Sequence, residues 1–389
     1  MALSVKPNKY AAENMKTAAV EDAFAPGPDS IIGSQIDPDR RRGRGVLSNS
    51  SGRFESESRY IFDDGWNSID DLPNLKTEVQ TEHAKKIITR NNSPDISFDR
   101  SINPYRGCEH GCVYCYARPT HTYMGMSAGL DFETRLFAKP NAAELLRQEI
   151  SNSSYVVKPI AIGTNTDAYQ PIEKRMRIMR QILEVLSEAG HPVGIVTKST
   201  LVLRDLDILK SLAERNLVKV FISVTTLDRK LARSMEPRAA TPAKRLEALR
   251  ILSDAGVPTG SLIAPIIPAL NDAEIEDILE ALYENGVREA GYVLLRLPLE
   301  VRDLFREWLR NNYPNKYLHV MSVLKSMRGG KDYDADWSQR MRGKGPYADL
   351  IHNRFRLAMG RLGFNKRRLR LDTEIFRAPM TPTGQLDFF

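Results

Sequence analysis

From about His83 onward, short apolar runs alternate with longer stretches in which apolar side chains recur every three or four positions. Within Ala142 to Ile150, Leu145, Leu146 and Ile150 keep helical spacing, and Pro159 to Gly163 reads as a short buried strand. Glu173 to Ala189 predicts an amphipathic helix with Met176, Met179, Ile182, Leu183 and Leu186 on one stripe, stopped at Gly190. The series continues as a strand over Val193 to Thr197, a helix over Arg204 to Asn216, a strand over Val218 to Val224 and a helix near Pro242 to Ala255. A strand over Gly260 to Ala264, a helix over Asp272 to Asn285, a strand over Tyr292 to Leu295 and a helix over Leu299 to Asn312 complete it. With one further strand inside Ile96 to Ile102, the pattern amounts to six β/α units. Such alternation predicts an α/β fold with a parallel sheet and right-handed crossovers. Periodicity does not separate an open Rossmann-type sheet from a curved partial barrel. No Gly-x-Gly-x-x-Gly follows a strand, which weighs against a dinucleotide fold.

The flanks read differently. Residues 1–58 lack aliphatic periodicity, and the run Arg40-Arg41-Arg42-Gly43-Arg44 reads as solvated charge or as a basic arm that touches nucleic acid. Order is expected to begin near Asp63-Asp64-Gly65-Trp66, because a tryptophan needs a packing surface. The expected organisation is an N-terminal extension over 1–80, largely disordered, a core domain over 81–312 and a basic, mainly helical region over 313–389. Between Lys325 and Arg370 there are 13 Lys and Arg against four Asp, a local charge of +9 in a chain whose net charge is +7. Tyr333, Trp337, Tyr347, Phe355 and Phe364 are interleaved with these cations, a footprint for nucleic acid, although Tyr347, Leu350, Ile351, Phe355 and Ala358 also make a good core stripe. At 389 residues and 42% apolar content, the chain can build a sizeable core. No apolar run approaches the roughly 20 residues of a membrane span, and Met1 to Met15 shows no secretory h-region, so a soluble, cytoplasmic protein is expected.

The chemistry concentrates in one place. The chain has three cysteines, Cys108, Cys112 and Cys115, in the segment Arg-Gly-Cys-Glu-His-Gly-Cys-Val-Tyr-Cys-Tyr-Ala-Arg. Clustered cysteines in a cytosolic setting read as metal ligands or redox groups, and as ligands soft thiolates select zinc, cuprous copper or iron–sulfur clusters. Gly107 and Gly111 let the backbone wrap around what the thiolates hold. A zinc site would need a fourth ligand, for which His110 or His121 is available. A [4Fe–4S] cluster usually takes four cysteines, so here one iron would be left open.

The spacing C-x3-C-x-aromatic-C, with Tyr114 as the aromatic, resembles the signature of radical S-adenosylmethionine (SAM) enzymes. The longer stretch Ser101 to Pro119 resembles the spore photoproduct lyase-related branch of that superfamily, and an uncharacterised bacterial group within it. The resemblance runs from about Arg40 to about Gly363. It implies a (βα)6 partial TIM barrel and a [4Fe–4S] cluster on Cys108, Cys112 and Cys115. It further implies that SAM is bound at the open iron and cleaved reductively to a 5′-deoxyadenosyl radical. A reductant such as flavodoxin or ferredoxin is implied as partner, and the substrate, with nucleic acid as one candidate, is left unassigned. The rival reading is a non-catalytic zinc or iron–sulfur protein that binds nucleic acid.

Ligands of parallel α/β folds gather at the carboxyl ends of strands. Gly163-Thr164-Asn165-Thr166-Asp167 stands where most radical SAM enzymes carry Gly-Gly-Glu, and the following Thr-Asp-x-Tyr-x-Pro-Ile-Glu stretch is similar to the lyase-related branch. Asn165, Thr166 and Asp167 are therefore candidates for the SAM amino group. Lys198 and Ser223, at the ends of the third and fourth strands, are candidates for its carboxylate or ribose. Arg238 is a further carboxylate or substrate candidate, Tyr114 an aromatic for the adenine side, and Pro265 to Asp272 a turn shaping the adenine site. Spore photoproduct lyases typically use a cysteine outside the motif as hydrogen donor. This chain has none; Tyr116, next to the cluster motif, is a candidate redox-active hydrogen donor, with packing as its alternative role.

Overall fold

A computed structural model describes residues 35–55, 73–366 and 369–379. The expected ordered start at Asp63 to Trp66 and the first 34 residues lie outside the described residues.

The core is a seven-stranded sheet. Its members are β2 (Ile88–Arg90), β3 (Arg100–Ile102), β6 (Ile160–Ile162), β7 (Val193–Thr197), β8 (Val218–Ile222), β9 (Thr259–Ile266) and β10 (Glu289–Leu294). They lie side by side in the order β10-β9-β8-β7-β6-β3-β2. From β3 to β10 neighbours are parallel, and β2 is antiparallel to β3 at the edge. Every crossover therefore steps the same way, and right-handed crossovers of that kind place their helices on one face. A doubly wound sheet would instead reverse its order at a switch point. The helices are α1 (Ala142–Ile150), α2 (Ile178–Glu188), α3 (Leu206–Glu214), α4 (Arg229–Met235), α5 (Pro242–Asp254), α6 (Ile275–Glu284), α7 (Val301–Asn312), α8 (Pro314–Ser326) and α9 (Pro346–Leu362).

The two faces of the sheet differ in residue size. Ile162, Ile195, Val220 and Ile222 are fully buried on the face that carries the helices. The alternate positions are smaller or only half-buried. Gly194 pairs with Lys219, and Val196 with Phe221, which in turn pairs with Gly260. A Cβ on Gly260 would lie 2.3 Å from the Phe221 ring, whereas one on Gly194 would meet nothing within 4 Å. The inner face thus keeps open space beside β7, where a ligand has room.

The expected helix over Glu173 to Ala189 is in fact broken. Arg177 takes a left-handed conformation (φ 54°), separating a single turn, Glu173–Met176, from α2. The buried Glu173 carboxylate causes the break by accepting from the backbone N–H groups of Ile178 (3.0 Å) and Met179 (3.1 Å). It thereby caps α2 from the preceding turn. The strand expected to end at Ala264 runs on to Ile266, so Pro265 lies inside β9 rather than in a turn after it.

A second, three-stranded sheet holds β1 (Glu78–Thr81), β4 (Tyr105–Arg106) and β5 (Arg135–Ala138) in the order β1-β5-β4. The cysteines lie in the connection between β4 and β5. Residues 35–55 are not a free tail: Val46 and Leu47 are 0% and 2% exposed. Arg44, expected as solvated charge, is buried and donates to the Glu133 carbonyl (2.9 Å), the Leu75 carbonyl (3.1 Å) and Thr77 Oγ1 (3.0 Å). This strap runs from the cysteine loop to α7, where Ser48 Oγ donates to Glu307 (2.7 Å).

In the C-terminal region Phe355 and Phe364 are buried and Tyr347 donates to Asp272 (2.5 Å), so these aromatics belong to the core stripe. Several of the basic residues are paired: Arg340 with Asp95, Arg354 with Glu276 and Arg361 with Glu280. Asn365 and Met341 bond to β10 through its backbone and cover that sheet edge. Among the described residues, no helix is long and apolar enough to cross a membrane.

Candidate active site

The cysteine loop departs from β4 through Gly107 and turns again at Gly111, with φ of 74° and 68°. Its backbone is tied down on several sides. Gln170 donates to the Gly107 carbonyl (3.1 Å) and accepts from Glu109 N (2.8 Å). Cys108 N donates to the Phe132 carbonyl (2.9 Å), and Val113 N to the Met235 carbonyl (3.0 Å). Arg118, fully buried, donates through Nε to the Cys112 carbonyl (3.0 Å) and pairs with Glu133 at 2.5 Å. Glu133 in turn accepts from Gly45 N (2.8 Å) and Val46 N (3.2 Å) of the strap. The approach there is so close that a Cβ on Gly45 would lie 1.7 Å from the Gly111 carbonyl oxygen.

All three thiols are free, Cys108 and Cys112 buried and Cys115 half-buried. Burial pushes the Cys112 thiol up to about 12, with Lys198 pulling the other way and Glu236 adding to the rise. Cys108 is raised well above its ordinary value by burial and then by the charge of Asp167. Such thiols ionise when a metal supplies the missing positive charge. Three thiolates are a donor set that an iron–sulfur cluster can take, one iron to each sulfur. Among the described residues, no three His, Cys, Asp or Glu side chains converge to hold one metal ion. Of the two imidazoles near the loop, His110 Nδ1 lies 3.3 Å from Asp167 and His121 Nε2 lies 2.9 Å from the Arg135 carbonyl, while His121 Nδ1 is buried without a partner among the described residues. A cluster makes a different demand, because each thiolate binds its own iron and the sulfurs need not meet at a point.

The sequence candidates fall into two groups. Asp167 is fully engaged: it accepts from Thr197 Oγ1 (2.7 Å), Lys198 N (2.8 Å) and Tyr169 N (2.9 Å) and faces His110. Burial opposes its charge, but His110 and these donors overcome it and lower its pKa to about 2. Thr166 is buried, its hydroxyl donating to the Tyr105 carbonyl (2.9 Å). Both therefore build the loop's seat. Arg238 lies between, pairing with Glu109 at 3.1 Å. By contrast, the side chains of Asn165 and Ser223 have no hydrogen-bond partner among the described residues, and Lys198 forms no ion pair there. Their heads lie at the carboxyl ends of β6, β8 and β7, around the cysteine loop.

Lys198 Nζ sits 5.9 Å from the centre of the Tyr114 ring. Burial works against its charge, yet Cys112 and Glu236 outweigh that and raise its pKa. The Tyr114 hydroxyl donates to Glu236, which also accepts from Thr225 Oγ1 (3.0 Å) and pairs with the buried Arg245. Tyr116 is half-exposed, its hydroxyl donating to the Thr164 carbonyl and its ring 5.1 Å from the Arg296 guanidinium. Sequence reasoning missed Gln170, Glu236, Arg245, Arg118 and Glu133. Gln170 and Arg118 stand inside stretches quoted for their neighbours, whereas Glu133, Glu236 and Arg245 carry no local signal at all.

Residues 102–282 match the family described as the radical SAM superfamily. Uncharacterised proteins of Mycobacterium tuberculosis and Mycobacterium bovis are each 35% identical over 225 residues, covering 57% of this chain and 66% of theirs, so the match spans just under two thirds of those relatives. An uncharacterised protein of Methanocaldococcus jannaschii is 30% identical over 244 residues, covering 63% of this chain and 87% of its own length. Among solved structures, a cysteine variant of spore photoproduct lyase superposes with a TM-score of 0.51 at 16% identity, covering 74% of this chain and 81% of that one. A second variant, with bound AdoMet and dinucleoside spore photoproduct, gives 0.50 at 16% identity over 73% and 78%. At such identity the likeness is one of fold. Motif, parallel sheet and family match converge, and the chain is a member of the radical SAM superfamily of enzymes.

Proposed function

We propose that Cys108, Cys112 and Cys115 hold a [4Fe–4S] cluster and that the enzyme uses it to cleave SAM reductively for hydrogen abstraction from a substrate. When bound, the cluster and SAM together supply the low-potential electron and the 5′-deoxyadenosyl radical. The protein holds, orients and shields. One observation carries the reading: three free thiols lie in a loop clamped by Gln170, Arg118 and Asp167, while Lys198, Asn165 and Ser223 surround it with uncommitted polar heads. Lys198 suits the SAM carboxylate as a point charge, and Ser223 a hydroxyl contact to carboxylate or ribose. Asn165, through its amide oxygen, suits the amino group. Tyr114, fixed at its hydroxyl by Glu236, offers a ring for the adenine side.

Hydrogen return to the product radical cannot use a further cysteine, because all three belong to the motif. Tyr116, next in sequence to Cys115, is the proposed donor. Electrons come from a small reductant of the flavodoxin or ferredoxin type. Nucleic acid is the proposed substrate class, supported by the cations of the C-terminal region that stay exposed, Lys331, Arg342, Lys344 and Arg356, and by Trp337, which is 53% exposed.

The test is anaerobic reconstitution with iron and sulfide, followed by SAM and dithionite. 5′-Deoxyadenosine above a Cys112→Ala control supports the reading; its absence from a brown, cluster-loaded preparation overturns it.

A further inference from the structure

Beyond the carboxyl end of β10, two guanidinium groups sit near one another, and neither forms an ion pair among the described residues. The Arg296 guanidinium lies 5.1 Å from the centre of the Tyr116 ring, and Nη2 donates to the Tyr333 hydroxyl at 3.3 Å. Its Nη1 is 3.6 Å from Met341 Sδ, and its Nε is buried without an acceptor among the described residues. Arg328, 1% exposed, donates to the carbonyls of Gln339 (2.7 Å) and Leu295 (3.0 Å), and its Nε also lacks an acceptor among the described residues. Leu295 immediately precedes Arg296, so the two cations share one wall. The nearby Asp95 is held by Arg340 in a two-pronged pair at 2.5 Å, and Asp334 acts on Arg328 only beyond ion-pair range.

Unpaired guanidinium groups in a partly dry wall are costly unless a counter-charge arrives. Nothing in the cysteine loop's support uses them. Arg296 instead faces the half-exposed ring of Tyr116, the residue that follows Cys115, so an anion bound there would hold its carrier beside the loop. Two positive charges match a phosphomonoester, which bears about −1.5 to −2 at neutral pH, better than a single carboxylate. The guanidinium fork suits phosphate oxygens, and Tyr333, which accepts from Arg296, keeps its own O–H free to donate.

We propose that Arg296 and Tyr333, backed by Arg328, form a seat for a phosphomonoester group of the substrate, in a nucleic acid its terminal phosphate, placing the substrate over Tyr116. The proposal deepens the function given above and rests on it for the word substrate.

The test titrates the full-length protein with inorganic phosphate and with phenyl phosphate at constant ionic strength, by calorimetry. Saturable binding is expected, weakened about 10-fold or more by Arg296→Gln, less by Arg296→Lys, and about 3-fold by Tyr333→Phe. Arg250→Gln, on the outer surface of α5, leaves it unchanged. Equal affinity in wild type and Arg296→Gln overturns the seat, as does acetate binding as well as phosphate. Should Arg296→Gln fail to fold by circular dichroism, Tyr333→Phe decides, and wild-type affinity in that variant overturns the proposal. Loss of 5′-deoxyadenosine formation leaves phosphate binding untouched, and the reverse holds, so the two readings fail separately.

Discussion

Nδ1 of His110, inside the cysteine motif, lies 3.3 Å from Oδ2 of Asp167, beyond the end of β6. That one carboxylate also receives the Thr197 hydroxyl and the Lys198 backbone N–H. A side chain from one crossover thus locks the cysteine loop to the carboxyl end of β7, and the same lock sets where Lys198 begins.

Asp167→Ala leaves buried donors unpaired and is expected to cost about 1–3 kcal/mol of stability. Asp167→Asn keeps one acceptor but turns an amide N–H toward donors, so it recovers part of the loss only. Denaturant midpoints of the three proteins check the order, wild type first and alanine last.

Gly45→Ala places a methyl against the Gly111 carbonyl, where the opposing atom is backbone and cannot swing away. The strap must lift. A loss of about 1–3 kcal/mol is expected, together with new protease cleavage between residues 44 and 55. Unchanged melting and unchanged cleavage would contradict the close approach.

Much of the parallel sheet was legible because its signals are local. Val193 to Thr197 reads as a strand from its own apolar run and is one, with the same bounds. The break at Arg177 was not legible, since the residue that causes it, Glu173, acts through its buried carboxylate and not through propensity. Helix α4, at seven residues, is too short to show two turns of periodicity. In the site, the cysteines announce themselves by spacing. Asp167 was legible as a strand-end carboxylate, but its partners were not, so it reads as free for a ligand when the fold has already used it. The Arg118–Glu133 and Arg245–Glu236 pairs join residues whose proximity exists only after folding.

Arg245 and Glu236 are both buried and paired, and the pair stands behind the Tyr114 hydroxyl. Arg245→Met strands an unpaired buried carboxylate, with an expected cost of about 3–5 kcal/mol. The double variant Arg245→Met/Glu236→Leu recovers part of it. A double-mutant cycle by urea denaturation measures the coupling.

His191 is fully buried between Tyr155 and Phe376, its Nε2 2.7 Å from the Tyr155 hydroxyl. Burial lowers its pKa from 6.5 to about 4. Between those two values the unfolded chain binds a proton that the folded protein does not, so stability falls as pH drops through this window. The expected loss is about 3 kcal/mol. In His191→Gln this component disappears, and the difference in urea midpoints between pH 7 and pH 4.5 is smaller than in wild type.

The family segment ends well short of the parts that complete its own loop. Cut the gene at residues 102 and 282, and Glu133 faces no Gly45 or Val46, β10 is gone, and Arg296 goes with it. A fragment chosen by those limits would keep all three thiols and lose the brace that holds them, so a colourless or insoluble product would indict the cloning boundary before it said anything about catalysis.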